Sequence, residues 1–245
     1  ERVVVYPDVE DLEGLPLGRG HDPTVNSSRS SFSQTGGEDF FTLREYQQGD
    51  DLRKVHWPST AKRDELMIRQ LEMPWQSRAL VLLDPRASAY PDAEAFEHAV
   101  RGAASAFRHL FRNGYTPTLW SGTGTGTVVG GSEAYGIAME GLASVEPAPV
   151  VDLRSALSRL RRNGIAGGVL VMVTGIPDDP MLGLYRILGN DFYRTIVMSS
   201  GSSADDTLLQ FARAGATTIS SQARDRWSGA WKQGMERSWS TATAG

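Results

Sequence analysis

Two short acidic segments hold the side chains that could do chemistry in this chain. Asp84 is followed at alternate positions by Arg86 and Ser88, and Asp178 stands next to Asp179 much further along. Carboxylate and hydroxyl oxygens are the ligands that hard divalent cations prefer, and a carboxylate-bound metal can support hydrolysis. One hypothesis is therefore a metal-dependent hydrolase that uses Asp84, Asp178 and Asp179.

Arg86 argues against a cation at the first segment. A guanidinium two residues after Asp84 repels Mg²⁺ and is suited to pairing with that carboxylate. The sequence Asp178-Asp179-Pro180 is typical of a helix N-terminus. One carboxylate and one hydroxyl are too few for a cation that prefers about six oxygen ligands. We expect a site without metal, with Mg²⁺ as the alternative.

Other catalytic and cofactor chemistries have little support. The chain contains no cysteine, which excludes disulfides and thiolate chemistry. None of its 4 histidines comes with a nucleophile and an orienting acid at a recognisable spacing. The glycine-rich segment 122–131 lacks the Gly-Lys-Ser/Thr ending of a phosphate-binding loop. We predict a protein that is not an enzyme and has no cofactor.

Alternating strand and helix patterns must position these residues. The apolar runs at 77–84 and 168–174 are typical of strands buried on both faces, and apolar residues recur every three or four positions from 95 to 111. Further strands are predicted at 115–120, 194–198 and 216–219, and further helices at 132–144, 152–162, 179–188 and 203–214. The pattern predicts an α/β fold: an open, mostly parallel, Rossmann-type sheet with helices on both faces.

The first 77 residues have a different pattern. A β-branched run at 1–7 predicts a strand, and the Gly-, Pro- and Ser-rich segment 11–39 predicts a flexible connector. Residues 41–46 and 65–71 read as two strands, separated by a turn at 48–51 and a short helix from Leu52 to Trp57 that Pro58 interrupts. We predict a small β-rich unit at 1–77 and an α/β domain with a Trp-rich tail at 78–245.

The tail has its own pattern. Trp227, Trp231, Met235 and Trp239 recur every four residues, which favours one helical face packed on the domain core over a face that contacts a partner or a membrane. No window of the sequence approaches the roughly 18 apolar residues that span a bilayer.

The segment from Arg44 to Glu72 resembles the signature of the bacterial Domain of Unknown Function 58 family. The residues that carry the resemblance are Arg44, Glu45, Tyr46, Gly49, Asp50, Arg53, His56, Trp57, Ala61 and the run 66–72. The resemblance implies a non-catalytic protein-interaction module that uses this signature to bind a MoxR-type AAA ATPase in the assembly or maturation of other proteins. It also implies that the full-length protein is attached to the cytoplasmic face of the bacterial membrane through a segment outside this chain. We expect this chain itself to be a soluble fragment.

A second resemblance concerns the acidic segment after the first buried strand. The run 82–88 resembles the first metal-site motif of von Willebrand factor A domains, with Arg86 in place of the first serine. The segment 150–152 lacks the threonine of the second motif, and at 173–175 the sequence Val-Thr-Gly replaces the Asp-Gly ending of the third. This resemblance implies a degenerate metal site at Asp84, Arg86, Ser88 and Thr174.

Two further interpretations of the signature stay open. From Arg44 to Arg69 the chain has 6 Lys or Arg against 5 Asp or Glu, so the charges could brace the fold by pairing Arg44, Glu45, Asp50 and Arg53 with each other. The rival is a single-strand nucleic-acid binder that uses Trp57, Arg53, Lys54, Lys62 and Arg63. The acidic neighbours and a net charge of -4 argue against a polyanion partner.

Overall fold

The computed structural model describes residues 5–14, 41–46, 52–63, 65–71, 78–122, 132–153, 155, 158, 160, 167–201 and 206–243. The chain divides into two units, which we call the signature unit (Arg19–Pro74) and the α/β unit (Glu1–Gly18 with Trp75–Gly245). The predicted assignment of residues 1–77 to one unit is therefore wrong at its beginning. The N-terminal segment belongs to the α/β unit because Leu12 is buried in that unit's core.

The signature unit contains two antiparallel strands. β1 (Phe41–Glu45) pairs with β2 (Met67–Leu71), as the alternating pattern predicted. The predicted helix at 52–57 is instead a 3-10 turn at Leu52–Lys54, followed by helix α1 (Trp57–Arg63). Pro58 lies in the first turn of α1, where a missing N–H costs nothing, and so it begins the helix that it was expected to interrupt. The predicted turn at 48–51 lies outside the described residues.

Five parallel strands form the described sheet of the α/β unit. They are β3 (Arg78–Leu83), β4 (Thr116–Trp120), β5 (Gly167–Thr174), β6 (Phe192–Ser199) and β7 (Thr217–Ser220). Their order across the sheet is β4-β3-β5-β6-β7. The predicted α/β class is confirmed. The predicted strand at 1–7 is not seen at residues 5–7, which have no regular structure, and residues 1–4 lie outside the described ranges.

Helices cover both faces of this sheet. They are α2 (Ala93–Arg112), α3 (Ser132–Ala143), α4 (Asp179–Leu188), α5 (Asp206–Arg213) and α6 (Trp227–Thr243). Val81 and Leu83 pack in one core cluster with α2, α3 and α6, whereas Leu80 and Leu82 pack in a second cluster with α4 and α5. Because β3 is buried on both faces, its sequence is a continuous apolar run.

Capping residues fix where several helices begin. Asp92 accepts a hydrogen bond from the Ala95 N–H at 2.7 Å and so caps α2. The predicted cap at Asp152 is present, since its Oδ1 accepts from the Ser155 N–H at 3.1 Å. The described residues of that segment, at 153, 155, 158 and 160, are helical as predicted.

The C-terminal helix packs on the core. Trp227 and Trp231 are both fully buried, which confirms core packing for these two positions, and the Trp239 side chain lies outside the described part of the structure. α6 continues through Gly234, where the helix approaches the sheet so closely that an added Cβ would lie 2.7 Å from Ile219 Cγ1. None of the helices in the described ranges combines the length and apolar character that a membrane crossing needs.

The strand order reverses its direction at β3. From β3 the chain moves to β4 on one side, and it later enters β5 on the other side of β3. In open parallel sheets, ligands bind beyond the carboxyl ends of the strands at such a reversal. The residues that follow β3 and β5 therefore occupy the expected ligand position.

Candidate functional site

The carboxyl ends of β3 and β5 bring the predicted chemistry-bearing residues together. Asp84 directly follows β3, and its N–H donates to the Val173 carbonyl oxygen at 2.8 Å. Thr174 is the last residue of β5. Asp178 is the N-cap of α4 and accepts from the Met181 N–H at 3.0 Å. Two neighbouring parallel strands and the helix after the second one therefore deliver these side chains to one place.

Arg86 forms a bidentate ion pair with the fully buried Asp84. Its Nε donates to Asp84 Oδ1 at 2.9 Å, and its Nη2 donates to Oδ2 at 2.8 Å. The Arg86 N–H also donates to Oδ1 at 3.1 Å, and Thr174 Oγ1 donates to Oδ2 at 2.9 Å. Asp84 therefore has both carboxylate oxygens engaged by protein donors.

The same guanidinium reaches a second carboxylate. Arg86 Nη1 donates to Asp178 Oδ2 at 2.7 Å, and Nη2 donates to Asp178 Oδ1 at 2.9 Å. The Asp178 side chain is 39% exposed, whereas that of Arg86 is 10% exposed. We call Asp84, Arg86, Thr174 and Asp178 the arginine-bridged cluster.

The charged forms of Arg86 and Asp178 favour each other. Burial opposes the charge on Arg86, but hydrogen bonds to Asp84 and Asp178 outweigh burial and raise the pKa of Arg86. Burial would raise the pKa of Asp178, but hydrogen bonds from Arg86 and from the Met181 N–H outweigh it and lower that pKa below the usual range. One guanidinium thus bridges a buried carboxylate and a partly exposed carboxylate through charge-assisted hydrogen bonds.

Neighbouring backbone holds the cluster in place. Tyr90 Oη donates to the Asp84 carbonyl oxygen at 2.6 Å, and burial followed by the nearby Asp84 charge raises the pKa of Tyr90, which keeps it a neutral donor. The Ala148 N–H donates to the Pro85 carbonyl oxygen at 2.7 Å, and the Ala87 N–H donates to the Ala148 carbonyl oxygen at 2.9 Å. Sequence reasoning missed Tyr90, because no local pattern links it to Asp84.

The residues at this position do not fit a divalent cation. Asp84 and Thr174 are present as predicted, but Ser88 is exposed and, within the described ranges, makes no hydrogen bond to the cluster. Asp179 is also exposed. Asp178 is linked to Asp84 only indirectly, because the Arg86 guanidinium donates to both carboxylates. No group of three or more His, Cys, Asp or Glu in the described part of the chain could hold a metal ion. A cation at Asp84 would first have to displace the guanidinium.

The signature residues lie in the signature unit with different exposures. Trp57 is 67% exposed, Arg53, Lys62, Arg63 and Glu45 are exposed, and Tyr46 is half-buried. His56 is half-buried, and its Nδ1 lies 2.8 Å from Ser59 Oγ. Gly49, Asp50 and the side chains of Arg44 and Lys54 lie outside the described residues, so the predicted bracing pairs and the nucleic-acid alternative stay predictions.

A buried serine–histidine contact was also missed by sequence reasoning. His98 Nε2 lies 3.0 Å from Ser221 Oγ, and the imidazole stacks on Trp227 with ring centroids 4.6 Å apart. Both residues are almost fully buried, and the His98 Nδ1 atom has no hydrogen-bond partner within the described structure. A substrate has no access to this buried serine, and no acid among the described residues bonds to the imidazole, so we assign the pair to the core.

This protein is of the α/β class, with a parallel sheet covered by helices and a second, two-stranded sheet. The arginine-bridged cluster lies at the carboxyl ends of β3 and β5 in the parallel sheet. The chain belongs to the family described as "Protein of unknown function DUF58", whose model matches residues 42–198. The predicted family resemblance is therefore confirmed. The matched region includes the described signature residues and the whole arginine-bridged cluster.

A curated relative and the solved structures add little more. The chain is 29% identical over 114 residues to the "Uncharacterized protein YeaD" of Bacillus subtilis (strain 168). That match covers 46% of this chain and 27% of the relative, so the matched segment spans about a quarter of the relative's length. No solved structure matches the chain significantly. The resemblance to von Willebrand factor A domains stays a prediction.

Proposed function

We propose that this chain is a non-catalytic protein-interaction module that works with a MoxR-type AAA ATPase in the assembly or maturation of other proteins. We further propose that it acts at the cytoplasmic face of the bacterial cell membrane as part of a longer protein. The observation that carries the non-catalytic role is the ion pair between Arg86 and the fully buried Asp84.

This ion pair favours a structural role for Asp84 and Arg86 and argues against a catalytic role. A catalytic carboxylate must reach a substrate, a water molecule or a metal, whereas both oxygens of Asp84 already accept hydrogen bonds from protein donors. Freeing Asp84 from Arg86 would leave a fully buried carboxylate without its counter-ion, which is costly. The hydrolase hypothesis needs that same carboxylate, so we do not carry it forward.

The exposed surface of the signature unit supports a docking role. None of the residues of α1 is buried, and Trp57 at its first position is 67% exposed. Leu52, in the preceding 3-10 turn, is 60% exposed. Tryptophan and arginine are the residues most enriched among those that dominate binding energy in protein interfaces. Trp57 and Arg53 are therefore the first residues to test.

The experiment measures binding of a purified MoxR-type ATPase to this immobilised chain. We expect Trp57→Ala and Arg53→Ala each to weaken binding, with a loss of at least about tenfold for Trp57→Ala. The matched control is Val150→Ala, because Val150 is 87% exposed and lies in the α/β unit. Thermal unfolding of each variant checks that the fold is kept.

Equal binding by the wild-type chain and a folded Trp57→Ala variant would contradict a docking role for this surface. Loss of binding in Val150→Ala alone would move the interface to the α/β unit. No binding by the wild-type chain would contradict the proposed partner.

A further inference from the structure

A polar cavity of about 460 Å³ lies at the opposite end of the sheet from the arginine-bridged cluster. It is lined by the start of β6, the start of β7, the end of α4 and Ser238 of α6. Because the strands are parallel, their amino ends share one edge and the carboxyl end of β3, which carries Asp84, lies at the other. The cavity is therefore separate from the site described above.

The charges that line this cavity have one sign. Arg186 and Arg194 are both lining residues, and none of the lining residues in the described part of the chain is a carboxylate. Arg186 is exposed, whereas Arg194 is half-buried. Two guanidiniums facing one cavity without a lining counter-ion define an anion-binding environment.

Arg194 has unused hydrogen-bonding capacity. A guanidinium carries five N–H donors. Among the described residues, this guanidinium makes one hydrogen bond, from Nη1 to Ser238 Oγ, and its length of 3.4 Å is long for a hydrogen bond. No carboxylate of the described residues lies within ion-pair distance of it. Most of its donors are therefore free to bind a ligand.

Comparison with Arg86 shows that Arg194 lacks a carboxylate counter-ion among the described residues. Both side chains are partly removed from water, but two carboxylates raise the pKa of Arg86. Burial lowers the pKa of Arg194, and the contributions that oppose this effect come from the phenols of Tyr193 and Tyr115. Burying a charge without a counter-ion costs free energy, and a bound anion would recover it.

Three backbone carbonyls at this end already accept hydrogen bonds from other groups. Tyr185 Oη donates to the Ala214 carbonyl oxygen at 2.7 Å, and Asn190 Nδ2 donates to the Arg186 carbonyl oxygen at 3.2 Å. The Gly189 N–H donates to the Tyr185 carbonyl oxygen. These carbonyl oxygens therefore have donors other than the guanidiniums of Arg186 and Arg194.

We propose that this cavity binds the phosphate group of a small soluble compound, held by Arg186 and Arg194. A planar guanidinium donates two parallel hydrogen bonds to a phosphate, and two such groups match the charge of a phosphate dianion. The volume is in the range of small-ligand sites, so a phosphorylated compound has room beyond the phosphate itself. The proposal is independent of the signature unit and of the ATPase.

Calorimetric titration of the whole chain with pyrophosphate and with inorganic phosphate tests this site. We expect saturable binding to the wild-type chain and at least about a tenfold loss in Arg194→Gln. Arg186→Gln should weaken binding less, because that side chain is exposed. Arg194→Lys keeps the charge but loses the planar fork, so it should lie between Arg194→Gln and the wild type. Arg224→Gln is the matched control, since it removes one exposed arginine that does not line the cavity.

Thermal unfolding confirms that each variant is folded, and Arg194→Lys and Arg186→Gln keep the test informative if Arg194→Gln unfolds. Absence of saturable binding to the wild-type chain would overturn the proposal. Binding that is unchanged in both folded arginine variants, or is equally weakened in Arg224→Gln, would overturn it too. Binding only to vesicles that contain phosphatidic acid, with no response to free pyrophosphate, would overturn the assignment to a soluble compound.

Discussion

Arg86 closes the sheet's ligand crevice by donating to both carboxylate oxygens of Asp84, at 2.9 Å to Oδ1 and 2.8 Å to Oδ2. The same guanidinium bonds both oxygens of Asp178 at the start of α4. One arginine therefore links the end of β3 to the helix that follows β5. The position that binds ligands in many folds of this class here holds together two elements that are far apart in sequence.

Removing this arginine should destabilise the fold strongly. Arg86→Ala leaves Asp84 buried without its counter-ion, and breaking a buried pair in this way costs roughly 3–5 kcal/mol of the free energy of unfolding. Equilibrium urea unfolding at neutral pH measures the change. The control is Arg112→Ala, because Arg112 pairs with Asp11 at the surface, where an ion pair contributes at most about 1 kcal/mol. A loss in Arg86→Ala no larger than in the control would show that the cluster does not stabilise the domain.

The buried His98 should make the domain sensitive to mild acid. Burial, with a smaller contribution from Arg101, lowers the pKa of His98 to about 4, although Glu10 and Asp225 oppose the shift. An unfolded histidine titrates near about 6.5. Between these values the unfolded chain binds the proton and the folded chain does not, so stability is complete above about pH 6.5 and falls as the pH drops towards 4. The loss should reach roughly 3 kcal/mol.

The measurement is the free energy of unfolding from pH 7 to pH 4.5 for the wild-type chain and for His98→Gln. The variant loses the stacking on Trp227 and should be less stable at pH 7, but its stability should fall less steeply with acid. Parallel pH profiles for the two proteins would contradict a neutral, buried His98. Carboxylates common to both proteins contribute equally and cancel in the comparison.

Glu10 should act as a distant cap for the C-terminal helix. Its carboxylate accepts from the Trp227 N–H at 3.1 Å, the Ser228 N–H at 3.0 Å and Ser228 Oγ at 2.9 Å. We expect Glu10→Ala to cost about 1–2 kcal/mol in urea unfolding, as for the loss of other helix caps. Glu13→Ala is the control, because Glu13 is an exposed carboxylate of the same segment. Equal stabilities of the two variants would contradict the capping role.

Gly175 should tolerate no side chain. It follows β5, and an added Cβ would clash with the Ala89 carbonyl oxygen and lie 2.7 Å from the Tyr90 ring. We expect Gly175→Ala to lower the free energy of unfolding by about 1–3 kcal/mol, the usual cost of overpacking. The matched control is Gly183→Ala, since Gly183 is an exposed helical position with open space around it. That change should stabilise α4 by up to about 1 kcal/mol, and the account would be wrong if the two alanine variants were equally stable.

Local sequence patterns were sufficient to predict the class of fold. The buried strands β3 and β5 have continuous apolar runs, and α2 has apolar residues every three or four positions between its cap at Asp92 and its end at Arg112. The pairing of Arg86 with Asp84 was also predictable, because the two residues are neighbours on the chain and have opposite charges. Such features depend on residues a few positions apart.

Contacts between distant residues could not be predicted in this way. Glu10 and Ser228 are 218 positions apart, and the cap appears only once the N-terminal segment packs on the α/β unit. Asp178 looked like an ordinary helix cap, and its second role depends on Arg86 92 positions earlier. Pro58 was misread because its effect depends on whether it stands inside a helix or in the first turn, and the sequence did not fix where α1 begins.

Arg86 occupies the position beside Asp84 where a ligand or metal would otherwise bind. Calorimetric titration of the whole chain with Mg²⁺ and with Mn²⁺ at neutral pH tests this assignment most directly, with Asp84→Asn as the comparison. We predict no saturable binding by the wild-type chain and the same heats for the variant, because the guanidinium already satisfies both oxygens of the carboxylate. Saturable binding by the wild-type chain that is lost in a folded Asp84→Asn variant would contradict the claim.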